Sequence, residues 1–128
     1  MSVFFITDDV QGAPVASDAE DVAVIAVGGE IDFQATPSLR EWVATRIAAG
    51  GRRLLVDLST ATFIDSTAIG VLVGAAKRLQ DAGDSLVVVC PESNRRVRRI
   101  FDIAGVENVI TLYPSREEAL SALAATEG

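Results

Sequence analysis

Between Phe63 and Gly70 the chain reads Phe-Ile-Asp-Ser-Thr-Ala-Ile-Gly, setting a carboxylate and two hydroxyls side by side at Asp65, Ser66 and Thr67. All three residue types cap helices, because a short side-chain oxygen accepts hydrogen bonds from first-turn N–H groups that have no partner inside the helix. The same place suits a phosphoryl group. Free N–H groups and the positive end of the helix dipole can hold phosphate on Ser66 without unfolding the domain. By residue type alone, Ser66 is a cap, a switch, or both.

Other chemistry is poorly provided for. The chain has no His, which removes the commonest general base and metal ligand. Its one Cys, Cys90, follows the apolar run Leu86-Val87-Val88-Val89 and reads as a buried small hydrophobe. There is no Gly-rich phosphate loop with its Lys, no dinucleotide fingerprint and no zinc ligand set. We expect no catalytic residues, no cofactor and no metal. With 18 acidic against 11 basic residues the net charge is −7, a poor basis for neutralising nucleic-acid phosphates. A protein partner fits better than DNA. A lone Cys suits a reducing compartment. No stretch approaches a membrane span, and Met1 to Ile6 lacks the basic flank and apolar core of a signal peptide, so the expectation is a cytoplasmic protein.

The elements that position Ser66 follow from periodicity. The 128 residues fit one domain. Val3 to Thr7 reads as an edge strand, and Asp8 to Asp21, acidic and small, as a long solvated connection. Val22 to Val27 is apolar throughout, as expected of a central strand covered on both faces, and Gly28-Gly29 bounds it. A helix follows with Thr36 as its cap, Pro37 at its first position, an apolar face of Leu39, Trp42, Val43 and Ile47, and Gly50-Gly51 as its stop. Leu54 to Leu58 is a second buried strand. From Ser66 to Ala82 the apolar residues Ile69, Leu72, Val73, Ala76 and Leu79 recur at helical spacing. Gly70 and Gly74 inside this helix each cost about 1 kcal/mol relative to Ala, and close approach of a strand or of a docking partner would explain them.

Leu86 to Val89 is the next strand, and Ser93 is placed to cap a third helix with Val97, Ile100, Phe101 and Ala104 inward and Gly105 at its end. Its outer face collects Arg95, Arg96, Arg98 and Arg99, a solvated face or a patch for an acidic surface. Val109 to Tyr113 reads as a last strand, and Ser115 with Glu118 as the capping box of a C-terminal helix with Ala119, Leu120 and Leu123 inward. Alternation of this kind predicts an α/β fold, a mostly parallel sheet of about five strands flanked by four helices. Loops at the carboxyl ends of successive parallel strands emerge at one edge, which joins Glu30 and Asp32 to Asp65 and Ser66 in a shared surface.

With these elements placed, the chain resembles a STAS domain of the anti-sigma factor antagonist family from Val3 to Ala124. The resemblance rests on Gly29-Glu30-Ile31-Asp32, on Val56-Asp57-Leu58 followed by Phe63 to Leu72, and on Val97 to Val106. It implies a STAS-type fold and a bacterial partner-switching protein in transcription regulation. Unphosphorylated, such a protein captures an anti-sigma factor serine kinase and frees the sigma factor; phosphorylated by that kinase, it lets go, and a phosphatase resets it. The phosphoacceptor would be Ser66, and Asp32, Asp65, Thr67, Ala68, Ile69 and Gly70 would meet the partner. Many members carry Gly where this chain has Ala68, whose methyl would crowd the loop.

Two other readings compete. STAS domains also resemble scaffold subunits of stress complexes and accessory components of transporters, where the domain is a fixed interaction module. A receiver domain would use Asp57 as an acyl-phosphate acceptor, with Asp8-Asp9 as its acidic pair. It would also need a lysine after a later strand, whereas the only lysine, Lys77, falls within a helix.

Overall fold

A computed structural model describes residues 4–8, 22–48 and 53–125. The acidic connection and the Gly50-Gly51 helix stop lie outside the described residues. The elements in chain order are β1 (Phe4–Asp8), β2 (Val22–Ile31), α1 (Thr36–Ala48), β3 (Arg53–Asp57), β4 (Ala61–Ile64), α2 (Ser66–Asp81), β5 (Ser85–Val89), α3 (Arg95–Ala104), β6 (Leu112–Tyr113) and α4 (Arg116–Ala125). Along the sheet the order is β1-β2-β3-β5-β6, and β4 also pairs with β2. Only β1 runs antiparallel to its neighbour, as an edge strand.

The uniformly apolar strands are covered on both faces, as expected of a parallel sheet. Alternate residues go to different cores. Ile25, Val27, Leu54, Val56, Leu86 and Val88 join α1, α2 and α3 in the larger core. Val24, Leu55, Val87 and Val89 face the other way, against Ala119 and Leu123 of α4. Arg53, at the start of β3, is buried and donates to the Leu123 carbonyl at 3.3 Å, which ties α4 to that face.

The structure adds a strand where a loop was expected. After β3, Leu58-Ser59-Thr60 forms a turn in which Asp57 Oδ1 accepts from the Ser59 amide (2.8 Å) and hydroxyl (2.5 Å). The chain then resumes as β4, in register with Gly29, Glu30 and Ile31 of β2. Two glycines make this possible. A side chain on Gly28 would lie 2.2 Å from the Phe5 ring and 2.3 Å from the Thr60 hydroxyl. Gly29 takes φ 80°, a left-handed conformation open chiefly to glycine, at the bulge where the β2 register shifts. The strand at Val22 therefore runs on to Ile31 rather than stopping at Val27.

Helix starts differ in detail from expectation. The Ala35 carbonyl accepts the first helical bond of α1, from the Leu39 amide at 3.0 Å, so Thr36 lies inside the first turn and Pro37 second. On α1, Leu39 and Val43 are buried, whereas Trp42 and Ile47 sit at the margin, with the Arg46 guanidinium 5.3 Å above the Trp42 ring. Helix α3 is capped by Asn94 rather than Ser93. Asn94 Oδ1 accepts from the Val97 amide while its Nδ2 donates to the Ala61 carbonyl at 2.8 Å, two bonds that use both the acceptor and the donor of an amide side chain. The last strand shrinks to Leu112–Tyr113, because Ile110 N bonds back to the Val106 carbonyl and keeps that segment in a turn. The capping serine of α4 is as read: Ser115 Oγ accepts from the Glu118 amide at 3.2 Å.

Candidate functional site

β2 and the β3–β4 pair deliver two chain segments to the same edge of the sheet. The ladder closes where the Asp65 amide donates to the Ile31 carbonyl at 3.1 Å, so the residues after each strand, Asp32 and Ser66, begin side by side. The Asp65 carboxylate caps α2, accepting from the Ala68 amide at 3.0 Å and from the Thr67 hydroxyl at 2.6 Å. Across the gap, Thr67 Oγ1 lies 3.1 Å from Thr36 Oγ1, and Thr36 Oγ1 lies 3.2 Å from the Asp32 carbonyl. Each hydroxyl has one proton. Thr67 gives its proton to the carboxylate, so Thr36 supplies the link between the threonines and shares its proton with the Asp32 carbonyl.

Asp32 stiffens its own turn. Its Oδ1 accepts from the Gln34 amide at 2.9 Å, an Asx turn, and its carbonyl accepts from the Ala35 amide at 2.9 Å. Asp65, Thr67, Thr36 and Asp32 thus form one connected chain that holds the β2–α1 turn against the first turn of α2.

Ser66 stands outside this network. It is the first residue of α2 and exposed, and the cap is made by its neighbour, which corrects the expectation that the Ser66 hydroxyl serves as the cap. Thr67 is exposed too, but its hydroxyl both donates and accepts. Ala68 and Ile69 correct a second expectation. They are 0% and 3% exposed, with side chains packed in the core, so neither side chain presents a surface to a partner. Gly70 and Gly74 are exposed, and a Cβ at either would meet nothing within 4 Å. No strand approaches them. They instead open a groove of about 430 Å³ between α1 and α2, lined by Arg40, Val43, Thr67, Gly70, Gly74 and Arg78 among others.

One residue escaped the sequence reading. Phe33, 66% exposed, projects from the turn that Asp32 stiffens. Its only sequence signal is an aromatic between two polar residues in a predicted loop.

Asp57 is committed elsewhere. It is 7% exposed, and besides Ser59 it pairs through Oδ2 with Arg116 Nε at the start of α4. Such a carboxylate is a latch, not an open acceptor for phosphoryl transfer. Cys90 is fully buried; burial pushes its thiol up from its ordinary value, opposed by the Arg98 guanidinium and reinforced by Asp57. Arg98 turns inward to donate to the Cys90 carbonyl at 2.8 Å, and so leaves the outer arginine cluster.

The geometry is that of an exposed hydroxyl at the start of a helix, on an edge held by the Asp65–Thr67–Thr36–Asp32 network. Comparison with known proteins agrees. The family model of the STAS domain matches residues 13–119. The chain belongs to the STAS domain family. It is 33% identical over 103 residues to the anti-sigma-B factor antagonist of Bacillus subtilis, covering 80% of this chain and 91% of that protein. Among solved structures, an anti-sigma factor antagonist from Mycobacterium paratuberculosis superposes with a TM-score of 0.79 at 24% identity, over 94% of both chains. The antagonist SpoIIAA in its unphosphorylated form gives 0.72 at 20% identity, over 94% of this chain and 97% of that one. In its phosphorylated form the TM-score is 0.63 at 19% identity, over 92% and 98%. At such identities the structures attest the STAS fold alone. In the described residues no helix is long and apolar enough to cross a membrane.

Proposed function

We propose that this STAS domain is an anti-sigma factor antagonist: unphosphorylated, it captures an anti-sigma factor serine kinase, and phosphate on Ser66 ends the capture. The observation that carries the switch is the division of labour at the start of α2, where Asp65 caps and Ser66 is left exposed. A phosphoryl group on Ser66 displaces no hydrogen bond of the Asp65 cap. It meets first-turn N–H groups and the helix dipole on its own side, which favour an anion. Toward a partner the outcome is the opposite. Phosphate adds about −1.5 to −2 charge beside Asp32 and Asp65, and inside an interface that charge is desolvated and repelled by any acidic group. Release without refolding follows.

The partner surface comprises Asp32, Phe33, Asp65, Ser66, Thr67 and Gly70. Phe33 is the aromatic anchor, and the open glycine face lets a partner backbone come close along the groove. The chain supplies no catalysis; the kinase brings ATP and the base, a phosphatase removes the phosphate, and the setting is the cytoplasm. Incubation with ATP and an extract of the source cells, followed by peptide mapping, should place phosphate on Ser66. Ser66→Asp should weaken capture of the anti-sigma factor at least about tenfold, roughly 1.4 kcal/mol, while Ser66→Ala binds and cannot be switched off. Equal affinity of the two variants would overturn the switch and leave a fixed interaction module.

A further inference from the structure

Helix α3 carries charge that its own fold does not use. Four of the chain's 11 basic residues fall between 95 and 99. Arg98 is consumed by the Cys90 and Pro91 carbonyls, but Arg95, Arg96 and Arg99 are exposed. Arg95 and Arg96 sit in the first turn, at the positive end of the helix dipole, where cations are unfavourable, and that turn holds no acid to offset them. Arg95 and Arg99, at i and i+4, also repel each other. Glu92 in the turn before and Asp102 in the last turn are the nearby acids in sequence, and none of the three arginines forms an ion pair among the described residues.

An apolar residue completes the face. Ile103 is 73% exposed, more than any other large hydrophobic among the described residues. Arg96, Arg99 and Ile103 stand at i, i+3 and i+7, one side of the helix. A local arrangement that opposes helix stability and exposes an isoleucine is the kind of departure found at functional sites.

We propose that the Arg95, Arg96 and Arg99 face of α3, with Ile103 at its end, docks an acidic segment of a protein partner, separately from the Ser66 switch. Charge complementarity selects the occupant. At physiological ionic strength charges act over about 8 Å, so a narrow segment feels mainly the arginines. A duplex or a membrane would extend over the rest of a chain whose net charge is −7 and be repelled there. Carboxylates pair with the guanidinium forks, and one apolar side chain covers Ile103. Because Asn94 fastens the start of α3 to Ala61 of β4, the strand that leads to Ser66, the surface lies on a fixed part of the fold.

The test is amide chemical-shift mapping of the full chain with a short synthetic peptide of glutamates and one leucine, a lysine version serving as control. Shifts should concentrate at residues 95–103 and fade with salt. Affinity should fall at least about tenfold in Arg96→Glu/Arg99→Glu, consistent with loss of two charge-assisted contacts, and measurably in Ile103→Ser. Ser66→Asp should bind the peptide as the native chain does, so this result stands or falls apart from the switch. Thermal melting checks folding: Arg95→Glu should raise the melting temperature, since it relieves the dipole. The proposal is overturned if α3 shows no shifts, if neither arginine nor isoleucine variants weaken binding, if Ser66→Asp abolishes it, or if duplex DNA or anionic vesicles bind these residues more tightly than the peptide.

Discussion

Asp65 and Ser66 are adjacent, both of capping type, and do different work. Asp65→Ala removes the acceptor of the Ala68 amide and the Thr67 hydroxyl, and should lower stability by about 1–2 kcal/mol. Ser66→Ala should stay within about 0.5 kcal/mol, as for an exposed position without a structural contact. Urea denaturation of the two variants decides the assignment; the reverse order would return the cap to Ser66. Cys90 offers a second check. Its thiol is raised in the folded chain by burial, so above about pH 9 the unfolded chain has lost the proton that the folded chain keeps. Fewer protons on the unfolded state mean that stability falls as pH rises there. Cys90→Ala or Cys90→Ser should flatten that part of the stability-against-pH curve, and alkylation of Cys90 in the native chain at neutral pH should be slow and limited by unfolding.

Helix α2 has its buried and open sides set by different requirements. Ile69, Leu72, Ala76 and Leu79 fill the core, whereas Gly70 and Gly74 face open space. Gly70→Ala and Gly74→Ala should therefore each stabilise the chain by up to about 1 kcal/mol. The same substitutions should weaken capture of the anti-sigma factor if its backbone comes close along the groove. Stability rising while affinity is unchanged would move the partner off the glycine face. Asn94 makes the opposite case, since its side chain serves both the α3 amide and the Ala61 carbonyl. Asn94→Ala should cost about 1–2 kcal/mol, measured by thermal denaturation.

The two faces of the sheet are joined to the functional edge through Asp57. It receives Ser59 from the turn before β4 and Arg116 from α4, so the helix on the far face and the strand leading to the switch share one carboxylate. Asp57→Ala should cost about 1–2 kcal/mol, because the Ser59 amide and hydroxyl and the half-buried Arg116 guanidinium all lose their acceptor. A rigid frame of this kind predicts a switch without refolding. Chain phosphorylated on Ser66 should keep its circular dichroism and its melting curve while losing the partner.

Residue types and periodicity were sufficient to place every helix, the parallel strands β2, β3 and β5, the edge strand and the joint surface of Asp32 and Ser66. These are local patterns: apolar spacing reports which side is buried, and parallel order follows from alternation of strands and helices. Hydrogen-bond partners distant in sequence were another matter. Asp65 is the cap where its amide, paired with the Ile31 carbonyl, keeps it in extended backbone, and the Asn94 side chain that caps α3 also reaches the Ala61 carbonyl. β4 exists because β2 continues past Gly29 and offers unpaired backbone groups. The alternation that hides Ala68 and Ile69 while baring Gly70 and Phe33 is likewise settled by packing, since only the assembled sheet and helices determine which apolar residues find cover.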